Sequence, residues 1–438
     1  MCEPTVPVLP LDIIGNIIDI LIDDYSKDGL RYVKTFSLVC QSFLPLCAKH
    51  IFFTVYIEIY SGHLYNSEAF GKYLLETPGI AKYIRHLNIG LFEPRTESRY
   101  FDQVSRQLTG LQSLTVHSLF FGRPWNSISS SMQHSLIHHP TLSHLKLRYL
   151  DFPTCNLTNL NIKHLSVDSL NITGEDDDTA SSLKPIQLQA FDIGAWDPSY
   201  LRLLAARCSD GRPVLDFTDL EKACVNFHGV DAVVPTREIL GGSEKLADIR
   251  LKGNESVHIC FTGWYYMFFV VVGGTHFRAM EFAKMVAPSL HTLRRVHLEI
   301  RHETTTTESD DPLAGLCDEL ESISGKNKLE YLRIDIKLMD MHPRYLGDEW
   351  GRLDMLLLKS GSWPMLKHVS LVVFVHHNAF SENLEVALKS LPRTQLTKLT
   401  SSKDLDFQFS VRLVLYLESM LSHGFGSAGR RGKGDFEI

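Results

Sequence analysis

The chain has 438 residues, more than one hydrophobic core usually serves, which predicts two or more domains or one elongated repeat architecture. Its 44 Lys and Arg residues against 51 Asp and Glu residues give a formal net charge of -7, so composition favours neither nucleic acid nor anionic lipid as a partner. The eight cysteines form no CxxC pair and no zinc-site spacing with histidine, and the opening sequence MCEPTVPVLP does not resemble a secretory signal, which together predict a cytoplasmic or nuclear location.

The first predicted element is an amphipathic helix in VLPLDIIGNIIDIL, from Val8 to Leu21. Its isoleucines recur at i, i+1, i+4 and i+5, which places them on one wide stripe. A polar loop from Asp23 to Gly29 ends this helix, and a second apolar cluster follows in LVCQSFLPLCAKHIF, where Pro45 marks a bend or a new helix start. The sequence therefore predicts two or three short helices at the start of the chain.

A helical unit of under about 50 residues seldom folds alone, so its apolar surface needs a covering partner. Two interpretations stay open at this point. The unit is either an N-terminal cap on the residues that follow it, or a docking surface for the helices of another protein.

This opening resembles an F-box, through its Leu-Pro start, its aliphatic first helix and the later run LVCQSFLPLCAKHIF. The residues that match the family pattern are Leu9, Pro10, Leu38, Val39, Cys40, Phe43, Leu46, Ile51 and Phe52. The chain departs from the pattern in a longer polar loop and in Gln41-Ser42, where a basic-aromatic pair is common. The resemblance implies a three-helix unit that binds the Skp-type adaptor of a cullin–RING ubiquitin ligase, with the rest of the chain holding a protein substrate. The adaptor contacts that it implies are Leu9, Pro10, Ile13, Ile14, Ile17, Val39, Cys40 and Phe43.

Past this unit, alternating residues from Phe53 to Ile59 predict a strand. A pattern of apolar, two residues, apolar, one residue, apolar then recurs ten times. The copies begin at Ile84, Leu111, Leu142, Ile162, Leu188, Leu220, Leu246, Leu293, Leu329 and Leu366. Helices are predicted between copies, in SYLRLLAARC after Asp197-Pro198 and in LAGLCDELESIS after Asp311-Pro312, with Gly325 as a stop.

Alternating strands and helices predict β-α repeats with right-handed crossovers, which resemble a leucine-rich repeat. The usual Asn after the strand is mostly absent and the spacing is uneven, so we expect an irregular solenoid. The predicted fold class is α/β: a short N-terminal three-helix F-box, then an irregular leucine-rich-repeat-like solenoid with a parallel concave sheet and outer helices. The predicted domains are 5–52 for the F-box-like unit, 53–420 for the repeat region and 421–438 for a flexible tail.

In each copy the named apolar residues point into the core, so the residues between them face outward on the concave surface. The residues predicted to contact a substrate are His144, Lys146, Arg148, Asp248, Arg250, Lys252, Arg295, Tyr331 and Arg333. The same register predicts exposure of His86, Asn88, His164, Asp168, Asp192, Lys222, His297, Glu299, Asp335 and His368. Any one of these charges could also face solvent merely because a strand has an outer face, since few contact residues carry binding energy.

Other motifs do not point to catalysis. GFGSAG at Gly424 to Gly429 lacks the strand and helix of a dinucleotide site, and the histidine pairs at His138 and His376 lack a third ligand. The apolar run from Trp264 to Gly274 is too short to span a membrane and predicts a buried helix or strand. No GxSxG, HExxH or P-loop motif occurs, so we expect no metal, no cofactor and no catalytic activity.

The leading hypothesis is therefore a non-catalytic substrate-receptor subunit of an SCF-type cullin–RING ubiquitin ligase. Its expected partners are the Skp-type adaptor with the ligase core and a protein substrate that the sequence does not identify, with no nucleic acid and no membrane. The alternative is an interaction scaffold whose F-box-like helices only cap the repeats. The two differ in whether the first helix is covered by residues after Tyr60.

Overall fold

The computed structural model describes residues 10–23, 29–59, 64–91, 103–118, 123–125, 128–157, 160–173, 184–194, 200–208, 210–227, 233–253, 281–303, 311–340, 346–377 and 379–414. The chain forms two compact units, Met1–Ile186 with Ala206–Val214, and Gln187–Ala205 with Leu215–Ile438. Leu9, the run from Trp264 to Gly274, the GFGSAG motif and the predicted tail 421–438 lie outside the described residues.

The first unit begins with helices and continues with short parallel strands. Its helices are α1 (Leu11–Asp23), α2 (Gly29–Ser37), α3 (Leu44–Ile51), α4 (Leu64–Glu76), α5 (Pro78–Ala81) and α6 (Ser130–Ile137), with 3-10 turns at Gln41–Phe43 and Thr154–Leu157. Its strands are β1 (Thr54–Ile59), β2 (His86–Leu91), β3 (Ser113–Ser118), β4 (Arg123–Pro124), β5 (His144–Arg148), β6 (Leu150–Pro153), β7 (His164–Asp168) and β8 (Asn171–Thr173).

The N-terminal helices α1, α2 and α3 pack on one another around their own small core. Its buried residues are Ile14, Ile18, Val33 and Cys47, and the partly buried Ile22, Phe36, Phe43, Leu46 and Ile51 pack against them. Pro45 lies in the first turn of α3, where its missing N–H is not needed. Of the two alternatives predicted for Pro45, a bend or a new helix start, the structure has the helix start.

Strands β1, β2, β3, β5 and β7 form a parallel ladder in that order. Each strand places a buried apolar residue opposite the next, in the row Val55, Leu87, Leu114, Leu145 and Leu165. Strands β4, β6 and β8 form a separate short parallel ladder. The first ladder contains the predicted strand after Phe53 and the first four copies of the repeated pattern.

The second unit also alternates helices with parallel strands, and its last strands are longer than those of the first unit. The remaining helices are α7 (Tyr200–Ala205), α8 (Val233–Gly241), α9 (Phe282–Val286), α10 (Leu316–Ile323), α11 (Glu349–Leu357), α12 (Glu382–Thr394) and α13 (Thr397–Ser401), with a 3-10 turn at Ala287–Ser289. The remaining strands are β9 (Ile186–Gln187), β10 (Ala190–Ile193), β11 (Leu215–Asp216), β12 (Lys222–Phe227), β13 (Asp248–Gly253), β14 (Arg295–Glu303), β15 (Tyr331–Asp340), β16 (His368–His376) and β17 (Asp406–Val414).

Strands β10 and β12 to β17 form the second parallel ladder, in chain order. Its in-register buried row is Phe191, Ala223, Ile249, Val296, Leu332 and Val369. All ten copies of the pattern therefore contain a strand of a parallel ladder. The α/β class with extensive parallel sheet is confirmed, whereas the solenoid and the F-box identity stay predictions.

Two predicted helices are confirmed, with one change of boundary. Gly325 has a φ of 71°, a conformation that suits glycine after a helix, and it follows α10 closely. Helix α10 begins at Leu316 and not directly after Pro312, because Asp311 first accepts a hydrogen bond from the Leu313 N–H at 2.8 Å and shapes a turn. None of the described helices is long and apolar enough to cross a bilayer.

A substitution at Gly29 tests whether the backbones of α1 and α2 approach each other closely. A Cβ at this position would lie 2.6 Å from the Leu21 carbonyl oxygen and 3.5 Å from the Ile22 Cα, so the backbones would have to separate. We expect Gly29→Ala to lower the free energy of unfolding by about 1–3 kcal/mol, measured by urea denaturation. In Gly79→Ala, the control within α5, the new Cβ meets nothing within 4 Å, and an unchanged or higher stability is expected. Equal loss in both variants would contradict the packing described for α1 and α2.

Candidate functional site

The N-terminal helices expose apolar side chains that their own core does not use. We call Leu11, Ile13, Ile17 and Ile20 of α1, with Leu38, Val39 and Leu44, the exposed apolar set. Ile13, Ile17 and Ile20 follow helical spacing, and 43% of Ile13 and 69% of Val39 are exposed. The buried cluster beside them comes from residues between Ile14 and Ile51, so α1 packs within its own helical group.

The structure separates the predicted adaptor contacts into exposed and buried residues. Pro10, Ile13, Ile17, Val39 and Cys40 are exposed. Ile14 is only 7% exposed and lies in the core of the helical group, so its predicted place on the docking surface is corrected. Phe43 is half-buried and stacks on Phe36 at 5.6 Å between ring centroids. Only part of its ring therefore remains accessible to an adaptor.

A polar contact holds the first helix to the third. Asp19 Oδ1 lies 2.7 Å from Lys49 Nζ and 2.7 Å from His50 Nε2. The hydrogen bond from Lys49, together with His50 and against some desolvation, lowers the pKa of the Asp19 carboxyl. The carboxylate therefore stays charged at neutral pH and fixes the position of the α1 stripe relative to α3.

The first polar face lies on strands β2, β3, β5 and β7 and includes three predicted substrate contacts. His144 is exposed, and its ring lies 4.0 Å from that of His164, whereas Lys146 and Arg148 are half-buried. Arg148 Nε donates to Asp168 Oδ2 at 3.1 Å. Asp168 is 8% exposed, so its predicted exposure is wrong: its carboxylate is paired with the Arg148 guanidinium.

Two further histidines on this face carry little positive charge. Burial lowers the pKa of His86, and His144 lowers it further. Burial also lowers the pKa of His117, which lies opposite Arg148 in the ladder. His86 and His117 are therefore mainly neutral at pH 7, and they lie on the same face as Lys146 and as the Arg148 that is paired with Asp168.

The second polar face lies on β13, β14 and β15, where every second residue points away from the buried row. Its positions are Asp248, Arg250, Lys252, Arg295, His297, Glu299, Arg301, Tyr331, Arg333, Asp335 and Lys337. All six substrate contacts predicted on these strands lie on this face. The ladder therefore brings them together over three neighbouring strands.

The buried carboxylate of Asp335 and the largely covered carboxylate of Glu299 lie at the centre of the second polar face. Glu299 accepts hydrogen bonds from Arg250 Nη2 at 3.3 Å and from Lys337 Nζ. Asp335 accepts from Arg333 Nε at 2.8 Å and lies 2.9 Å from His297 Nε2. The side chains of two arginines, a lysine and a histidine thus converge on two acids, and each acid joins neighbouring strands.

Both carboxylates remain ionised at neutral pH. Burial raises the pKa of Glu299, but Lys337, Lys252 and Arg250 outweigh burial and bring it below its ordinary value. Burial likewise raises the pKa of Asp335, and the hydrogen bonds from His297 and Arg333 more than offset that effect. The network is therefore ionic at pH 7.

The sequence pattern missed part of this network. Asp335 is 4% exposed, so its predicted exposure is wrong, because Arg333 and His297 cover it. Arg301 and Lys337 were not predicted, because the repeated pattern ends before them while β14 and β15 continue. The signal that could have found them is the further alternation through Ile300 and Ile336.

Neither polar face offers a metal centre within the described residues, where no group of three His, Cys, Asp or Glu side chains could hold an ion. The faces instead combine charged and hydrogen-bonding groups on rigid strands, which suits recognition of another molecule. A comparison with protein-family models and with curated proteins finds no match to this chain.

Glu299 tests the ionic network. Glu299→Gln removes the charge that neutralises Arg250 and Lys337, and we expect the free energy of unfolding at pH 7 to fall by about 1–2 kcal/mol, since the partner cations remain partly solvated. Asp406→Asn is the control, because its contact with His368 is half-exposed, and a change below about 0.5 kcal/mol is expected. Equal effects in urea denaturation would contradict a structural role for the buried network.

The effect of Glu299→Gln on the free energy of unfolding should also depend on pH. The pKa of Glu299 is depressed in the folded protein, so its stabilisation is complete above the unfolded value near 4.5 and is lost as the pH falls through the folded value. The stability difference between wild type and Glu299→Gln should therefore shrink below pH 4.5. Urea midpoints measured from pH 7 to pH 3 check this, and a constant difference over that range would refute the ionic assignment.

Proposed function

We propose that this chain is a substrate-receptor subunit of an SCF-type cullin–RING ubiquitin ligase. The observation that carries the proposal is the exposed apolar set on a helical group whose own core is already complete without it. Large exposed aliphatic side chains that recur on one helix favour a partner surface over a solvated one. The N-terminal helices would then bind a Skp-type adaptor, as the F-box resemblance implies.

The contacts would involve the exposed members of the predicted set. Ile13 and Ile17 lie on one side of α1, and Val39 and Cys40 lie in the link after α2. Burying these apolar groups supplies the driving force, at about 25 cal/mol per Å² of apolar area removed from water. Ile14 and Phe43 would act indirectly, by holding the helices in place.

The strand faces would hold the substrate of the ligase. They carry charged groups whose orientation is fixed by in-register neighbours and by ion pairs, which favours selective recognition of one partner. The chain itself would perform no chemistry. Its contribution would be proximity, because a tethered substrate lysine meets the charged ubiquitin carrier at high effective concentration.

The alternative scaffold function predicts that residues after Tyr60 cover the first helix. Within the described residues, the cluster that buries Ile14 and Ile18 comes from α1 to α3 themselves, while Ile13 and Ile17 remain exposed. That arrangement favours an external partner for α1. The receptor would act in the cytoplasm or the nucleus, where the ligase core operates.

Adaptor binding tests the proposal directly. We expect Ile13→Asp/Val39→Asp to reduce capture of a co-expressed Skp-type adaptor at least about tenfold, because an unpaired carboxylate in an apolar interface costs several kcal/mol. The readout is the adaptor-to-receptor ratio after affinity purification. Val39→Asp alone serves as a second variant, since 69% of Val39 is exposed and its replacement leaves the core intact.

The matched control is Met355→Asp/Val386→Asp, which adds the same charges at exposed apolar positions on α11 and α12. This control should capture the adaptor at the wild-type level. Wild-type capture by both N-terminal variants, or no capture by the wild-type chain, would refute the receptor function and favour the scaffold.

A further inference from the structure

The second polar face is far more cationic than the chain as a whole. Its eleven positions on β13, β14 and β15 include six Lys or Arg and three Asp or Glu. The cations are Arg250, Lys252, Arg295, Arg301, Arg333 and Lys337. The whole chain, in contrast, has 44 basic and 51 acidic residues, so the positive charge is concentrated at this place.

The acidic side chains of this face are also more deeply buried than the basic ones. The Glu299 and Asp335 side chains are only 11% and 6% exposed, whereas 42% of Arg250 and 43% of Lys337 remain exposed. The acids therefore lie beneath the cations that they hold. An approaching molecule meets guanidinium and ammonium groups first, on a surface that the buried carboxylates keep rigid.

Part of the donor capacity on this face is unused. Neither Lys252 nor Arg295 donates to a carboxylate within the described part of the chain, although Lys252 lies opposite Glu299 in the ladder and Arg295 lies opposite Asp248. Arg250 Nε has no hydrogen-bond partner there either, but this atom is buried and closed to an outside ligand. Lys252 and the exposed Arg295 can bind an external anion without breaking the Glu299 and Asp335 contacts.

The size of the face fits a short peptide. Four outward positions on β14 and on β15 span about 20 Å, and three neighbouring strands give a width of about 10 Å. An extended segment of about six residues has the same length. Such a segment could place several carboxylates against the cations at once.

The charge pattern favours a protein segment over nucleic acid. Asp248 lies between the cations at one end of the face, and it would repel a continuous phosphate backbone. The face also offers one aromatic ring, Tyr331, where single-stranded nucleic acid usually stacks on several. A peptide with spaced acidic residues can avoid Asp248 and still reach the cations.

From this geometry we propose that the second polar face binds an acidic segment of a partner protein, an extended run of about six residues rich in Asp and Glu. The inference rests on the proposed function, in which this face holds the substrate, and it names the chemical class of the substrate segment. The bound carboxylates would be recognised by Lys252 and Arg295, with Arg250, Arg333 and Lys337 completing the positive surface.

The test uses the full chain and a fluorescein-labelled six-residue glutamate peptide, measured by anisotropy at 50 mM and 200 mM salt. A Gly-Ser peptide of equal length with the same label is the neutral probe. We expect the glutamate peptide to bind at least tenfold more tightly than the neutral one, and more weakly at the higher salt concentration. Lys252→Gln/Arg295→Gln should weaken its binding about tenfold, because neither side chain is bound to a carboxylate in the folded protein.

The control variant is Arg393→Gln/Lys398→Gln, which removes the same charge from exposed positions on α12 and α13. It should bind the glutamate peptide like the wild type. Equal binding of the two peptides, or equal weakening in both variants, would overturn the inference. A single-stranded oligonucleotide that binds more tightly than the glutamate peptide, through the same two side chains, would also overturn it.

Adaptor capture by the same proteins separates this inference from the proposed function. Lys252→Gln/Arg295→Gln should retain wild-type adaptor capture, since both residues lie in the second unit and the exposed apolar set lies in the first. Adaptor capture without selective glutamate binding would overturn only the acidic-segment inference. Glutamate binding without adaptor capture would support the binding site and refute the ligase function.

Discussion

The parallel ladder imposes one constraint on nearly every strand: alternate side chains must be buried in register with those of both neighbours. The row from Phe191 to Val369 meets this demand with an apolar residue on each strand. A shift of one residue would move the whole apolar set of a strand to the other face. The apolar pattern therefore fixes register, and register in turn decides which side chains share the polar faces.

This constraint explains why the polar faces need internal charge neutralisation. Parallel neighbours lie about 4.8 Å apart, so side chains at matching positions contact one another whatever their charge. Arg250, His297 and Arg333 occupy one row, and the two arginines would leave unneutralised positive charge there without nearby acids. Glu299 and Asp335 lie one row further along the strands and accept hydrogen bonds from this row, which stabilises the arrangement.

The positions of the strands could be predicted from the sequence because buried and outward-facing residues alternate every two positions along a strand. Each of the ten copies needed only three apolar residues at fixed spacing, and each contains a strand. The final strand β17 was missed because Asp404 stands where the pattern has its first apolar residue, two positions before Asp406. Phe407 and Phe409 on this strand are only half-buried, so the last strand of the ladder needs fewer of the apolar residues that define the pattern.

The surface chemistry was less predictable than the core. Alternation correctly placed Arg250, Lys252 and Arg333 on one face, since direction depends only on parity along the strand. Whether a side chain on that face is exposed depends on neighbours about 40 residues away, such as Lys337 for Glu299 and His297 for Asp335. Burial of Ile14 was likewise hidden, because Ile13 and Ile14 are adjacent and only the packing of Val33 and Cys47 decides which one turns inward.

The two proposed surfaces would bind their partners through different physical interactions. In the proposed complex, the exposed apolar set would gain affinity by removing hydrocarbon from water, an effect that tolerates salt and depends on side-chain shape. The second polar face offers charge that salt screens over about 8–10 Å and that depends on sign. The proposed receptor would need a durable contact with its ligase and a reversible contact with its substrate, and an apolar helix surface with a cationic strand face would provide one of each.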